Sequence, residues 1–192
     1  MSANGDVERA GRLDEVLRLV RAKVAAAQRP LVEDFVVRYF QDVDPEDLAE
    51  RQPADLYGAA LSHWNFARKR EPGQARVRVF NPTLEEHGWQ STHTIVEIVN
   101  DDMPFLVDSV SMAVNRQGLG LHLVIHPVLA VERDGGGTLV ALRPRAQQGG
   151  GQLESMMHLE IDRIVDAGAR AELAAGIERV LADVRAAVDD WG

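Results

Sequence analysis

Histidine and glutamate side chains recur on the predicted strands of this sequence, and imidazole together with carboxylate can bind a metal ion or transfer protons. Because side chains alternate along a strand, one face of the predicted sheet would carry His93, Glu97, His122, His126, His158 and Glu160. Along one strand, His122 and His126 would lie about 13 Å apart, which is too far to share an ion. Across neighbouring strands, His93, His122 and His158 could form a metal cluster with Glu160. A free-standing metal-dependent enzyme that uses this face is therefore the alternative to a non-catalytic function.

A second candidate site is the stretch NDDMPFLVDSV at residues 100–110, where a predicted strand gives way to a predicted helix. Asp102 can cap the free N–H groups of that helix, and Pro104 suits its first turn. The same N–H groups could instead hold a carboxylate, while Asp101 or Asp102 contacts an ammonium group. The stretch therefore predicts either a helix cap or a site for a free amino acid, which would comprise Asn100, Asp101, Asp102, Met103, Pro104, Phe105 and Leu106.

Other catalytic signatures are missing from the sequence. It contains no GxGxxG, GxxxxGK[ST] or GxSxG pattern, so nothing marks a nucleotide-binding loop or a hydrolase nucleophile. The lack of cysteine removes thiolate nucleophiles, disulfides and cysteine-bound metals. We therefore predict that this chain contains no catalytic residue, no metal and no cofactor of its own.

Composition narrows the class of partner. The 192 residues are 45% hydrophobic, enough for a buried core, and carry a net charge of −9. An acidic chain lacks the basic face that neutralises phosphates, so we expect no nucleic-acid partner. No apolar run approaches the ~20 residues needed to span a bilayer, and the N-terminus lacks the apolar core of a signal peptide. We expect a cytoplasmic protein that does not contact membranes.

The hydrophobic periodicity changes near residue 73. Helical spacing predicts helices over residues 6–28, 31–43 and 53–70, with a short helix opened by Asp44 and Pro45. Strands are then predicted at 75–80, 92–99, 120–132, 138–143 and 154–162, a loop at 145–152, and helices at about 103–117 and 167–190. This order predicts an α+β fold, with a helical N-terminal segment at residues 1–73 and an α+β domain at residues 74–192.

The two faces of the predicted sheet differ in polarity. One face is largely apolar and suits packing against the two helices of the α+β domain; it comprises Val77, Val79, Thr94, Val96, Ile98, Leu121, Leu123, Ile125, Met157, Leu159 and Ile161. The opposite face mixes aliphatic residues with histidines and glutamates, so it is not fully solvated. We expect the N-terminal helices, a second subunit or another domain to cover it.

The order of strand, [ND]D-x-P-x-L, helix, glycine, strand and hairpin strand resembles the ACT domain, a ferredoxin-like module that binds amino acids and regulates metabolic enzymes. Four longer stretches are similar to the N-terminal region of the large bacterial NAD-specific glutamate dehydrogenases: LYGAALSHWNFARKR, VRVFNPTLEEHGWQSTHTIVEIVNDDMPFLVDSV, HLVIHPVL and ESMMHLEID. The resemblance runs from about residue 30 to the end of the chain.

This resemblance implies an ACT-like, mixed or antiparallel sheet with helices on one face in residues 74–192. It also implies that the chain is a fragment of a longer enzyme, whose separate catalytic domain uses NAD to convert glutamate to 2-oxoglutarate by oxidative deamination. The fragment would be a regulatory or assembly domain that contacts other domains or subunits of a homo-oligomer. It would either sense an amino-acid effector or mediate oligomer contacts.

One position departs from the family pattern. Ligand-binding ACT domains usually carry glycine after the loop proline, where the ligand approaches the backbone, and this sequence has Phe105 there. A phenylalanine would crowd a ligand against the main chain. This departure favours an interaction module, whose mixed sheet face would dock a partner subunit.

Overall fold

The computed structural model describes residues 3–144 and 152–190. Its helices are α1 (Ala3–Lys23), α2 (Arg29–Tyr39), α3 (Pro45–Ala49), α4 (Pro53–Ala67), α5 (Leu84–His87), α6 (Leu106–Asn115) and α7 (Ala167–Asp189). Its strands are β1 (Arg76–Phe80), β2 (Thr94–Asp101), β3 (Leu121–Ile125), β4 (Val128–Arg133), β5 (Leu139–Arg143) and β6 (Gln152–Ile161). The predicted α+β fold is confirmed. Of the predicted loop at 145–152, residues 145–151 lie outside the described part of the chain.

The N-terminal helices begin where the sequence places helix-start residues. Asp44 accepts a hydrogen bond from the backbone N–H of Glu46 at 2.9 Å, and Pro45 occupies the first turn of α3. Pro30 and Pro53 stand at the starts of α2 and α4, where a missing backbone N–H leaves no hydrogen bond unmade. Local chemistry therefore sets the helix boundaries in this part of the chain.

The sheet is built around β6, the longest strand. Its strand order is β1-β2-β6-β4-β5, β3 also pairs with β6, and every described pairing is antiparallel. β3 pairs with the end of β6 near Ile161, while β4 pairs with the other end near Gln152. Because side chains alternate along a strand, β6 also meets helices on both faces, with Met156 on one side and Met157 and Leu159 on the other.

The single strand predicted at residues 120–132 is wrong, because the chain breaks at His126 and Pro127 into β3 and β4. Proline has no N–H to donate to a ladder, although its carbonyl still accepts from Met156 N at 3.0 Å. A bulge between Leu121 and Leu123 also shifts the register of β3. Leu123 and Ile125 therefore pack with the N-terminal helices instead of α6 and α7, contrary to prediction.

Helices cover both faces of the sheet. On one face, Val96, Ile98 and Leu159 pack with residues of α6 and α7, including Val110 and Ile177. On the other face, Val99, Leu123, Ile125, Leu129, Val131 and Met156 share one buried cluster with α1, α2, α3 and α4. Of the three coverings expected for the mixed face, the structure shows this chain's own N-terminal helices. The division into units at residues 73 and 74 stays a prediction.

Candidate functional site

The predicted loop site at residues 100–106 is anchored by two arginines, the buried Arg70 and the half-buried Arg185. The Asp101 carboxylate contacts Arg70 at 2.5 Å and Arg185 at 2.9 Å. Arg70 also contacts Glu154 at 2.8 Å, and Arg133 contacts Glu154 at 2.7 Å. Burial raises the pKa of Asp101, but the hydrogen bonds and charges of Arg70 and Arg185 outweigh burial and hold that pKa below its usual value. The Asp101 carboxylate is therefore already neutralised within the chain.

The residues on either side of Asp101 also serve the fold. Arg185 Nη2 donates to the buried Asn100 Oδ1 at 2.9 Å. The backbone N–H of Asp102 donates to Leu153 O at 2.9 Å, which continues the pairing of β2 with β6. The predicted cap at Asp102 is wrong, because α6 begins at Leu106 and its N-cap position is Phe105, which makes no side-chain capping bond.

Phe105 holds the backbone conformation that glycine usually supplies. Its φ is 67° and its ψ is 5°, and it is the one non-glycine residue with positive φ in the described part of the chain. A side chain in this left-handed region costs roughly 1–2 kcal/mol. The resemblance to ACT loops that carry glycine singled out Phe105 from the sequence. It did not reveal that Phe105 keeps the left-handed backbone conformation that a glycine would adopt.

An apolar groove runs between α6 and α7 beside this residue, and we call it the α6/α7 groove. Its volume is about 370 Å³, and its walls include Phe105, Met112, Val180, Val184 and Val188. Phe105 is 60% exposed and Met112 is 52% exposed. The groove therefore presents two large apolar side chains to solvent. The predicted loop residues split between this groove and the core, where Leu106 is buried.

The structure separates the residues predicted on the mixed sheet face. Glu97 lies buried and pairs with Arg78 at 2.5 Å; burial raises its pKa even though Arg78 acts in the opposite direction. His126 shares a hydrogen bond with Ser155 Oγ at 2.5 Å. His122 contacts Asp162 at 2.7 Å. These three side chains do not converge on a common site.

The other three predicted residues do converge, at a cleft between the sheet and the α3–α4 end of the helical segment. We call it the Glu160 cleft; it has a volume of about 530 Å³ and is lined by His93, His158, Glu160, Arg51, Asp55 and Trp89, among others. Arg51 Nη2 contacts Glu160 Oε2 at 2.8 Å, and His93 Nδ1 lies 3.6 Å from the same oxygen. Burial opposes the charge on Glu160, but His158 and Arg51 together lower its pKa to about 2. Glu160 is therefore a fixed anion in the cleft.

Sequence reasoning missed two residues of the helical segment that reach this region. Arg51 precedes Glu160 by 109 positions, so no local pattern connects them. His63 on α4 is buried, and its two ring nitrogens meet Tyr39 Oη at 3.0 Å and Ile98 O at 3.1 Å. Burial, reinforced by His158, lowers the pKa of His63 to about 3. Only the docking of α3 and α4 on the sheet brings these residues to the mixed face.

The described residues give no support to the metal-dependent alternative. No group of three or more histidine, aspartate or glutamate side chains within residues 3–144 and 152–190 is placed to hold a metal ion. His93 and His122 do approach each other, with ring centroids 4.3 Å apart, but His122 is engaged by Asp162. Among the helices of the same ranges, none is long and apolar enough to cross a membrane.

An antiparallel sheet with α6 and α7 on one face defines an ACT-like α+β module, and comparison with known proteins agrees. The family model described as "Glutamate dehydrogenase, ACT1 domain" matches residues 35–177. The chain therefore belongs to the family of glutamate dehydrogenase ACT1 domains.

Three curated relatives carry the name NAD-specific glutamate dehydrogenase. The chain is 42% identical to the Pseudomonas aeruginosa protein over 84% of its own length and 42% identical to the Halomonas elongata protein over 83%. It is 28% identical to the Mycobacterium tuberculosis protein over 72%. The chain spans about 10% of the length of the first two relatives and 8% of the third.

Proposed function

We propose that this chain is a non-catalytic assembly domain of a large NAD-dependent glutamate dehydrogenase. The whole enzyme would bind NAD and convert glutamate to 2-oxoglutarate elsewhere in its length, as the names of the relatives suggest. This domain would contact other domains or subunits of that enzyme through the α6/α7 groove. The observation that carries the proposal is Phe105, an exposed aromatic side chain held in a left-handed backbone conformation.

The energetics of Phe105 favour a partner. The backbone conformation costs roughly 1–2 kcal/mol, and the exposed ring returns little of this within the chain. Fully burying a phenylalanine yields about 1.5–3 kcal/mol, so covering the exposed 60% of this residue would return about 1–2 kcal/mol. A partner surface would thus offset the backbone cost, and Met112 would be buried with Phe105.

The alternative regulatory version, an amino-acid sensor at residues 100–106, has less support. The carboxylate that would meet a ligand ammonium is already held by Arg70 and Arg185. A ligand would have to displace one of these two ion pairs. The charge network of Asp101 therefore favours assembly over sensing.

Hydrogen exchange tests the assembly proposal in the whole enzyme. We expect amides of α6 and α7 to exchange more slowly in the parent enzyme than in the isolated chain, because a partner covering the groove suppresses local opening. Equal exchange in both proteins would contradict the proposal.

A variant pair sharpens the test. Phe105→Gly keeps the left-handed backbone accessible and removes the ring, so the isolated chain should keep its stability while the parent enzyme assembles less tightly by sedimentation velocity. Leu84→Ala is the matched control, because Leu84 is 61% exposed and lies outside the groove. If Phe105→Gly leaves assembly unchanged, the groove is not an assembly surface.

A further inference from the structure

The Glu160 cleft contains buried polar groups that the fold does not satisfy. The His158 side chain is 0% exposed, and neither ring nitrogen has a hydrogen-bond partner among the described residues. Its Nε2 lies 4.0 Å from Glu160 Oε1, which is too long for a hydrogen bond. Trp89 Nε1 is likewise buried and unpartnered in the described part of the chain. Both side chains line the cleft.

Such groups are rare in folded proteins, because a buried donor or acceptor without a partner costs free energy. Here three unpartnered nitrogen atoms lie beside one cavity of about 530 Å³, a size typical of small-molecule sites. The indole of Trp89 offers a hydrogen-bond donor, and the imidazole of His158 offers its two ring nitrogens, to a molecule in the cleft. The pattern indicates a site that a ligand completes.

The charge of the cleft selects the kind of ligand. Glu50, Asp55 and Glu160 line it, against a single guanidinium from Arg51. Burial and the negative charge of Glu160 raise the pKa of Asp55, which is the expected response of a carboxylate in a negative potential. The apolar walls, which include Leu123 and Ile125, would strengthen the attraction of this potential for a cation by excluding water.

We propose that the Glu160 cleft binds a small organic cation, an ammonium or guanidinium compound that also carries a hydrogen-bond acceptor. The positive group contacts Asp55, beside the Glu160–Arg51 ion pair, and the acceptor accepts hydrogen bonds from the N–H groups of Trp89 and His158. This site lies on the sheet face opposite the α6/α7 groove and does not rest on the assembly proposal. It also differs from the loop at residues 100–106.

Calorimetric titration of the 192-residue chain tests the site directly. The probes are ethanolamine, 1,4-diaminobutane and methylguanidine, with succinate as an anion of similar size. We expect at least one cation to bind and succinate not to bind. If no cation binds at about 10 mM, or if succinate binds as well as the cations, the proposal fails, and water alone satisfies the buried groups.

Variants locate the binding. Glu160→Gln and Asp55→Asn should each lower the affinity for the cation at least about tenfold. Glu132→Gln should leave the affinity unchanged, because Glu132 is exposed and lies outside the cleft. Asp55→Asn guards against misfolding, since Asp55 forms no ion pair with another described residue. His158→Phe should abolish binding and raise the melting temperature. Full binding by Glu160→Gln and Asp55→Asn together would overturn the assignment.

Discussion

Replacing His158 with phenylalanine should stabilise the protein. The imidazole is fully buried on β6, and both of its nitrogens lack partners among the described residues. Each unsatisfied buried polar group costs about 1–3 kcal/mol. Phenylalanine has a similar ring and no polar atom, and the adjoining cleft gives its extra volume space. Counting the imidazole as one such group and allowing about 1 kcal/mol for imperfect packing, we expect a net gain of up to about 2 kcal/mol.

Urea unfolding in buffer without amines measures this gain. The midpoint should rise while the m-value stays constant, because the surface exposed on unfolding hardly changes. In a thermal scan the same gain corresponds to an increase in melting temperature of up to roughly 4–8 °C for a chain of this length. A loss of more than about 1 kcal/mol would refute the reasoning, since it would show that His158 forms stabilising hydrogen bonds.

His63 provides the matched control for this experiment. It is equally buried, and its ring centroid lies 6.5 Å from that of His158, but both of its nitrogens have partners. His63→Phe would leave Tyr39 Oη and Ile98 O without those partners, so it should lose about 1–3 kcal/mol. Opposite signs for the two substitutions would tie the effect to hydrogen bonding, whereas equal signs would tie it to ring size.

His63 has a usual pKa of 6.5 and a folded-state pKa of about 3, so the unfolded state binds more protons between these two values. Stability therefore falls as the pH drops below 6.5. The free energy of unfolding, measured from pH 4.5 to 6.5, should depend less steeply on pH in His63→Phe than in the wild type. Glu154→Gln leaves Arg70 and Arg133 facing an uncharged amide and should cost about 3–5 kcal/mol. Gly58→Ala should lose about 1–3 kcal/mol by urea unfolding, because the new Cβ would lie 2.2 Å from Trp89 Cβ.

Identical pH slopes in wild type and His63→Phe would show that His63 is accessible to protons in the folded state. For Glu154→Gln the control is Glu132→Gln, because Glu132 is an exposed partner of Arg143 and its substitution should change stability by less than about 1 kcal/mol. If Glu154→Gln destabilises the protein no more than Glu132→Gln does, burial does not strengthen the ion pairs of Glu154. Alanine ordinarily stabilises a helix relative to glycine by about 1 kcal/mol. A Gly58→Ala variant more stable than the wild type would therefore show that Trp89 moves away from the new Cβ at little cost.

Periodicity in the sequence determined much of the fold. Alternation along β2 and β6 correctly assigned Val96, Ile98 and Leu159 to the face that packs on α6 and α7. Helix-start residues such as Asp44 were also recognised, because a cap acts within one turn of chain. Both signals are local, so a single sequence carries them.

The course of β3 could not be read in the same way. Nothing in the sequence near Leu123 marks a bulge, because the bulge arises from pairing with β6, more than 30 residues away. A register shift of one residue moves a side chain to the opposite face, and this shift placed Leu123 and Ile125 on the side of the N-terminal helices. The length of an apolar run does not reveal such a shift.

The candidate sites show the same division. The sequence by itself placed His158 and Glu160 on one strand face and singled out Phe105 as a departure from glycine. Only the tertiary structure brought Arg51 to Glu160. Only it distinguished His63, which has partners for both ring nitrogens, from His158, which has none among the described residues. The residue type determines how many hydrogen bonds a side chain can form. Whether a buried side chain forms them depends on which distant atoms the packing of helices on the sheet places within 3.5 Å, and no local pattern encodes that distance.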